Sequence, residues 1–387
     1  MYVSLFWAIV LLLVPGSKNR PKHFLGFFMV AATMVYFSHA TFFSHQHSLY
    51  LLVDPIYIFA TLSVYPLYYW FIRLLTVDAK YQVKNLWHLA PAIGFSLIVT
   101  VLYLKMNDPL GYVQTHLFNQ SFVKPVKENL WMVQKTIFQI TRVVMFLQII
   151  WYLYHGLKLI KIYEFRLKDF YSNLEGRSID WAKWLMIIFS VTAVMSSVAN
   201  ALGRSFFNDR SFWLIFPSLI FSVLLFFIGY LGHVQSHSFY DLKKDEDDDH
   251  SSGTGNGTHQ IDMSEPQESK IYLIPLKKQL ISLFEDERIY RQHDLKIIHI
   301  SQILKTNRTY VSKLINEEFG CPFSDFVNQY RLNEVKEIII QNAEGQITLD
   351  ELAERTGFTS ASSLIRVFKQ LEGVTPGIFR DRYKTNS

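Results

Sequence analysis

Cysteine is nearly absent from this sequence, since Cys321 is the only one in 387 residues. A single thiol excludes an intramolecular disulfide framework and a cysteine-rich zinc site. Four motifs of common enzymes are also missing: a Walker phosphate loop, a zinc-protease helix, a nucleophile elbow and a kinase-type glycine pattern. The sequence therefore predicts a protein that is not an enzyme, with no cofactor.

Acidic residues are scarce in the first 240 positions, where the net charge is +10. Residues 241–270 carry a net charge of −6, and residues 271–387 carry +1. Half of all residues are hydrophobic, which is too many for one ordinary soluble domain. These differences predict three parts: a transmembrane bundle at 1–235, a linker at 236–270 and a C-terminal module at 271–387.

Long apolar runs dominate the first part. Most are near the roughly 20 residues that a helix needs to cross a bilayer. The first run is shorter, and no Lys or Arg precedes it, so it does not have the pattern of a signal peptide. Seven spans are predicted, at about 2–15, 23–44, 49–75, 87–104, 131–154, 184–203 and 212–233.

Lysine and arginine are unevenly distributed among the loops between these runs. Three loops carry twelve of these cations, at 16–22, 73–86 and 155–183. The three alternating loops carry five, at 45–48, 105–130 and 204–211. Because cationic loops stay on the cytoplasmic side, we expect a multi-pass inner-membrane protein with its N-terminus outside and its C-terminal module in the cytoplasm.

Several polar side chains fall within or beside the predicted spans, where hydrocarbon should exclude them. Lys135, Gln139 and Arg142 recur at helical spacing and so share one helix face. A ligand-sensing site near the outer surface is one interpretation, and it would consist of Asp54, Lys135, Gln139, Arg142, Asn200 and Arg204. The alternative is a structural ion pair of Asp54 with Arg142 or Lys135, with Arg204 reaching the interface.

Three histidines, His39, His45 and His47, lie close together near the second run. They lack carboxylate or cysteine partners at ligand spacing, so no metal site is predicted.

The linker is acidic and rich in Ser and Gly, from "DLKKDEDDDH" onward. It cannot bury enough apolar surface to offset its chain entropy, so we expect it to be disordered. The run 245–249 has two interpretations: it extends and solubilises the tether, or it competes with DNA for a basic face of the module as an autoinhibitory decoy.

Two similar stretches follow within the C-terminal module. The first contains Ser301, Lys305, Val311, Gly320 and Phe326, and the second contains Ala353, Gly357, Leu364, Gly373 and Phe379 at nearly the same spacing. Small residues allow close helix crossing, and glycine allows a turn with positive φ. The pattern predicts two helix-turn-helix units, although Lys305 departs from it. Thr348 and Glu351 have the spacing of a capping box.

Each predicted second helix has one apolar face and one polar face. The polar faces, with flanking residues, give a candidate DNA-binding set of Arg308, Thr309, Ser312, Lys313, Asn316, Ser360, Ser362, Arg366 and Lys369. Hydroxyl, amide and cationic groups are those that contact base edges and phosphates in a major groove. A solvated polar face is the alternative for either helix alone.

The segments "NRTYVSKLINEEFGCPFSDFVNQYRL", "ITLDELAERTGF" and "SSLIRVFKQLEGVTPGIFR" resemble the AraC family of transcriptional regulators over about residues 274–384. The resemblance implies seven helices, with a long helix at about 324–341 joining two DNA-reading units. It implies recognition helices at about 308–318 and 360–370. Lys305 departs from the family pattern, as does the pair Ser363 and Leu364, which replaces a common aromatic pair.

The sequence thus predicts an all-α protein: a polytopic membrane helix bundle, a disordered linker and a cytoplasmic double helix-turn-helix domain. The expected function is a membrane-embedded one-component transcription regulator that responds to an external or membrane signal. The expected partners are double-stranded promoter DNA, the lipid bilayer, a small-molecule signal and a second copy of the chain. A membrane transporter or receptor with a regulatory tail is the alternative, although residues 1–240 lack the internal repeat typical of transporters.

Overall fold

The computed structural model describes residues 1–15, 20–77, 83–117, 129–202, 215–235, 237–252, 266–342 and 347–384. The chain divides into two compact units. The first contains Met1–Ile162 and Ile179–Lys243, and the second contains Tyr163–Ser178 and Lys244–Ser387. The second unit therefore includes a short segment from the middle of the chain.

The described elements of the first unit are helical. They are α1 (Tyr2–Leu12), α2 (Arg20–Phe43), α3 (His47–Thr76), a 3-10 helix (Val83–Leu89), α4 (Ala90–Lys105), α5 (Pro109–Tyr112), a π-helix (Val113–Leu117), α6 (Asn129–Phe170), α7 (Asp180–Leu202), α8 (Ile215–Val234) and α9 (Phe239–Ser252). Helices α6 and α9 each end in residues that belong to the second unit.

Helix α3 is the central element of the first unit and packs against α2 and α4. The Ser96 hydroxyl on α4 donates a hydrogen bond of 2.9 Å to the carbonyl of Pro55 on α3. At the contact between α1 and α8, Gly229 leaves space for the indole of Trp7, because a Cβ there would lie 2.3 Å from the ring. Close approach of small and aromatic residues thus holds the helices together.

The outer surface of the first unit is apolar. Five large side chains on four helices each expose 59–81% of their surface: Leu52, Leu104, Met132, Leu147 and Leu219. Isolated exposed apolar residues are normal on soluble proteins, but this unit exposes them on each of its long helices.

By length and composition alone, five of the described stretches could cross a membrane. They are Arg20–Phe43, His47–Thr76, Asn85–Lys105, Asn129–Phe170 and Ser218–Asp245. Helix α1 is apolar but has only 11 residues. Helix α7 covers the sixth predicted run, but its side chains from residue 196 onward lie outside the described part of the chain. The total of seven spans and their orientation remain predictions.

The predicted disordered linker differs from the structure at Phe239–Ser252, which is helical. The Asp241 carboxylate there accepts hydrogen bonds from the backbone amide and hydroxyl of Ser238, at 2.9 and 3.0 Å. This contact caps the helix start, where acidic side chains are also favourable. The prediction from amino-acid composition did not find this helix, because composition does not record a capping contact made by a single side chain. Residues 253–265 lie outside the described part.

The second unit contains seven α-helices in its described residues from Pro266 onward, as the resemblance implies. They are α10 (Pro266–Glu285), α11 (Ile297–Ile303), α12 (Arg308–Phe319), α13 (Phe323–Gln341), α14 (Leu349–Thr356), α15 (Ala361–Glu372) and α16 (Pro376–Lys384). The predicted recognition helices correspond to α12 and α15. The predicted joining helix corresponds to α13.

Helix α13 contributes to the core of both halves of the second unit. Near its start, Phe326 packs against Phe284 of α10 with ring centroids 4.8 Å apart. Near its end, Val335 and Ile339 lie in one buried cluster with residues of α14 and α15, among them Phe368. The joining helix thus connects two small cores that neither half could complete alone.

Gly357, between α14 and α15, occupies a position that only glycine fits. Its φ is +84°, and an added Cβ would lie 2.6 Å from the carbonyl oxygen of Tyr290 and 2.7 Å from the backbone of Arg291. Gly373 also has positive φ, at +74°, but a Cβ added there would meet no atom within 4 Å. Alanine at Gly373 therefore tests the cost of the positive-φ backbone alone, whereas alanine at Gly357 tests that cost together with a steric clash.

We expect Gly357→Ala to destabilise the second unit by about 2–5 kcal/mol, because left-handed strain and a backbone clash add together. Gly373→Ala should cost only about 1 kcal/mol, from the conformation alone. Hydrogen exchange of the α14 and α15 amides in the full chain measures both. Equal losses of protection in the two variants would contradict the steric argument.

Candidate nucleic-acid interface

The first helix-turn-helix consists of α11 and α12. The Asn307 side chain caps α12 by accepting a 3.0 Å hydrogen bond from the amide of Thr309. Val311, Leu314 and Ile315 are fully buried beneath the helix. The polar face that the sequence assigns to DNA is therefore turned away from the core.

The second helix-turn-helix, α14 and α15, repeats this design. Thr348 caps α14 through the amide of Glu351 at 3.2 Å, as the capping-box spacing predicts. Ser360 caps α15 through the amide of Ser363 at 3.1 Å. Ser360 thus has a structural role in addition to the DNA contact predicted for it. Leu364, in place of a common aromatic residue, is fully buried.

The turns of the two helix-turn-helix units are closed by the same backbone hydrogen bond. The amide of Thr306 donates to the carbonyl of Ser301 at 2.9 Å, and the amide of Phe358 donates to the carbonyl of Ala353 at 2.8 Å. Lys305 has a φ of +52° at the position equivalent to Gly357. The turn therefore keeps its shape although a lysine replaces glycine, because Lys305 itself adopts the left-handed backbone conformation.

The predicted reading face of α12 is only partly open. Thr309 and Lys313 are exposed, and Lys313 lies 3.9 Å from the carboxylate of Glu317. Ser312 and Asn316 are half-buried. Arg308 lies over the ring of Phe170, with 5.4 Å from its guanidinium carbon to the ring centroid. The predicted residues share one face, but side chains outside this set already contact four of them.

The predicted reading face of α15 is more open. Ser362, Arg366 and Lys369 are exposed, one turn apart along the helix. Val367 and Phe368 lie on the opposite, buried side. This separation provides hydroxyl and cationic groups on a helix with a closed core, which suits insertion into a major groove.

Residues 163–178 lie against both helix-turn-helix units, a contact that sequence reasoning did not predict. The Asp169 carboxylate accepts hydrogen bonds from Ser312 at 2.8 Å and from Asn316 at 3.3 Å. The Glu175 carboxylate accepts hydrogen bonds from Thr359 at 2.7 Å and from Ser360 at 3.1 Å. Two acidic groups therefore contact the predicted reading helices or their N-terminal flanks.

Arg331 is a second feature that sequence reasoning missed. Its side chain is 1% exposed, on α13. The guanidinium donates to the carbonyls of Tyr290 and Gln292, at 2.7 and 2.6 Å, and to the hydroxyl of Ser172 at 3.4 Å. Burial lowers the pKa of Arg331 to about 10, so the group remains charged at neutral pH.

Beside Arg331, the buried Glu334 carboxylate accepts hydrogen bonds from Arg291 and Arg288. The Tyr171 hydroxyl donates to the Asp245 carboxylate at 2.7 Å, and burial together with that carboxylate raises the pKa of Tyr171. These polar groups join segments that lie far apart in the sequence. No local sequence pattern distinguishes them from ordinary surface charges.

The predicted ligand-sensing residues of the first unit are not all in one environment. Asp54 is 1% exposed and accepts hydrogen bonds from Tyr50 at 3.1 Å and Tyr103 at 2.7 Å. Lys135 and Gln139 are exposed, whereas Arg142 is half-buried with its guanidinium carbon 4.7 Å from the Phe138 ring centroid.

Two of the predicted sensing residues fall where side chains are not described. Asn200 lies on α7 with its side chain outside the described part, and Arg204 lies wholly outside it. Among the residues that the structure describes, no three His, Cys, Asp or Glu side chains form a group able to hold a metal ion.

Residues 300–382 match the family model of a helix-turn-helix domain. The C-terminal part of this chain is a helix-turn-helix domain of the AraC type. The matched residues begin in α11 and end in α16, so they contain both helix-turn-helix units and the joining helix.

Regulators from two bacteria are similar to the AraC-type domain. The uncharacterized HTH-type transcriptional regulator YtdP of Bacillus subtilis is 31% identical over 94 residues, which are 24% of this chain and 12% of that protein. YfiF of the same organism is 30% identical over 23% of this chain and 27% of that protein. An HTH-type transcriptional regulator of Staphylococcus aureus is 28% identical over 24% of this chain and 12% of that protein. This chain thus matches only a small part of each relative.

A solved structure is also similar to this domain. The C-terminal domain of the two-component response regulator yesN from Fusobacterium nucleatum is 24% identical and covers 27% of this chain and 98% of that chain, with a TM-score of 0.25.

Arg331→Met should destabilise the AraC-type domain by about 2–4 kcal/mol, since it leaves buried carbonyls without their charged donor. Arg331→Lys should cost less because it retains a cation and some donors. Arg355→Met, which removes an exposed pair with Glu351, provides the control and should cost about 0.5 kcal/mol or less. Amide exchange of α13 in the full chain measures all three. Equal protection in Arg331→Met and Arg355→Met would contradict the role assigned to Arg331.

Proposed function

We propose that this chain is a membrane-embedded one-component transcription regulator. Its AraC-type domain binds promoter DNA sequence-specifically through α12 and α15. Its first unit is a multi-pass helix bundle in the inner membrane that responds to an external or membrane signal. The C-terminal domain lies in the cytoplasm, where it can reach DNA.

The observation that carries this proposal is the duplicated helix-turn-helix. Both helix-turn-helix units have a capped second helix, a closed turn and a polar outer face, and one helix, α13, joins them. Two such helices on one domain can enter successive major grooves. The combination of Lys313, Arg366 and Lys369 with hydroxyl and amide groups supplies both phosphate and base-edge contacts.

The surface of the first unit supports the membrane part of the proposal. Its long helices are apolar outside as well as inside. In hydrocarbon, a helix satisfies its backbone hydrogen bonds internally, so a bundle of such helices is stable there. The loop charges support the cytoplasmic placement of the C-terminal domain.

The signal would act on polar groups of the bundle. Asp54 with its two tyrosine partners is buried between α3 and α4, and buried polar groups in a membrane are commonly functional. A small molecule that prefers one of two bundle states would change the population of that state. Association of two copies would place two AraC-type domains together and raise their affinity for DNA through avidity.

Lys313→Ala and Arg366→Ala should each weaken binding to a recognised promoter by about 10-fold, which matches the loss of one base or phosphate contact. Lys278→Ala, an exposed lysine on α10, is the matched control and should bind as the wild type does. Chromatin capture with the tagged full-length protein identifies the promoters, and titration with the purified protein gives the affinities. Promoter binding unchanged in both variants would contradict the assignment of the reading faces.

The same capture experiment, with a blot for released fragments, separates the mechanisms of action. Promoter peaks from intact protein would mean that the domain acts while tethered. Peaks that occur only with a released C-terminal fragment would mean that cleavage of the linker is the switch. An absence of peaks under all conditions would contradict the proposed function and favour a transporter.

Topology is tested with single cysteines in a Cys321→Ser background. Ser44→Cys lies in the exposed loop between α2 and α3, and Glu337→Cys lies on the exposed side of α13. A membrane-impermeant maleimide should label Ser44→Cys in intact cells and Glu337→Cys only after permeabilisation. Labelling of Glu337→Cys in intact cells would contradict the cytoplasmic placement.

A further inference from the structure

The segment 163–178 crosses the same surface of the AraC-type domain that is proposed to read DNA. It consists of the last turns of α6 and the loop that follows, and it belongs to the second compact unit. Its contacts extend from α12 to the start of α15. It carries two carboxylates, Asp169 and Glu175, that meet the two recognition helices or their flanks.

At the first recognition helix, Asp169 binds the groups best suited to base edges. Its two oxygens accept hydrogen bonds from Ser312 and Asn316, at 2.8 and 3.3 Å. The next residue, Phe170, lies under the guanidinium of Arg308. Three of the five DNA-contacting residues predicted around α12 are therefore engaged by two neighbouring residues of the segment.

At the second recognition helix, Glu175 takes the place that a DNA phosphate would take. The N-terminus of a helix attracts anions through its free amides and its dipole. Glu175 accepts hydrogen bonds from Thr359 and Ser360, which directly precede α15. A phosphate oxygen that binds the same hydroxyls would have to displace this carboxylate.

The segment is held by contacts that do not involve the recognition helices. The amide of Ser172 donates to the carbonyl of Leu295 at 3.0 Å, and Tyr171 forms an antiparallel bridge with Lys296. Arg177 pairs with Asp294 at 3.1 Å, and Lys168 lies 3.7 Å from Asp325. These anchors position Asp169 and Glu175 over two helices at once.

We propose that residues 163–178 are an internal competitor of DNA, which holds the AraC-type domain in a state that cannot bind its promoter. This inference rests on the proposed function. The carboxylate of Asp169 occupies donors suited to base edges, and the carboxylate of Glu175 imitates a phosphate oxygen. The segment and a DNA duplex exclude each other, because both need the same donors and the two carboxylates would repel DNA phosphates placed beside them.

The acidic linker provides a less direct contact. Asp245 accepts a hydrogen bond from Lys296 at 2.8 Å, and Lys296 precedes α11 rather than lying on a reading face. Among the described side chains, the acids that contact the recognition helices or their flanks therefore come from the end of α6 and the loop after it.

The origin of the segment also indicates how it is released. Asp169 lies in the last turn of α6, a 42-residue helix whose earlier residues belong to the first unit. A signal that favours one state of the first unit can therefore change the free energy of the segment's contacts through continuous chain. Release needs only a ligand with different affinities for the two states.

The test compares the double variant Asp169→Asn with Glu175→Gln against the wild type, both as full-length protein in nanodiscs. The control is Glu287→Gln with Glu337→Gln, which removes two exposed carboxylates elsewhere on the same domain. The probe is a pool of mixed-sequence DNA duplexes that span two major grooves, at low salt. We expect the test variant to bind at least about fivefold more tightly than the control, at the lower end of typical coupling between sites.

A second measurement follows hydrogen exchange at the Ser172 amide. In the wild type, addition of DNA should raise its exchange because the segment leaves the domain. Equal affinities of the test and control variants, with unchanged exchange at Ser172 when DNA binds, would overturn the competition while leaving the regulator intact. Failure of the wild type and both variants to bind DNA would overturn the proposed function and the competition together.

Discussion

The geometry of the AraC-type domain depends on one buried cation, Arg331. Its guanidinium fixes the carbonyls of Tyr290 and Gln292, and Tyr290 in turn forms the wall against which Gly357 packs. The cation thus ties the joining helix to the turn of the second helix-turn-helix. Since the guanidinium is buried, solvent cannot compensate for the loss of its hydrogen bonds.

The elements of the domain could be predicted from the sequence, but their long-range contacts could not. Spacing between small residues, glycines and apolar positions predicted both helix-turn-helix units, because these features are local and repeat, and the resemblance to the AraC family implied the joining helix. Burial of Arg331 depends on residues about 40 and 160 positions away. Helical periodicity identifies an outward face, but it does not identify what covers that face. Asp169 and Glu175 were missed for this reason.

In the first unit too, the helices could be predicted from local sequence, but the contacts between distant residues could not. Apolar runs predicted the long helices. Tyr50 lies one turn from Asp54 on α3, whereas Tyr103 comes within reach of Asp54 only after α3 and α4 pack together. The alternative of an ion pair with Arg142 or Lys135 rested on charge alone. The structure buries Asp54 with two hydroxyls and leaves Lys135 exposed. Neutral donors such as tyrosine hydroxyls carry no charge signal in the sequence, so neither interpretation of Asp54 predicted them.

Because the net charge of the C-terminal part is low, a segment with only two competing carboxylates is enough for the proposed competition with DNA. Residues 271–387 carry a net charge of only +1, so their general attraction to DNA is weak. A strongly basic domain would bind DNA too tightly for two partly exposed carboxylates to hold it off. If the proposed competition holds, a modest preference of a ligand for one state of the bundle can decide between the bound segment and bound DNA. A low net charge weakens a DNA-binding domain that acts alone, but it suits the proposed regulation by a segment of the same chain.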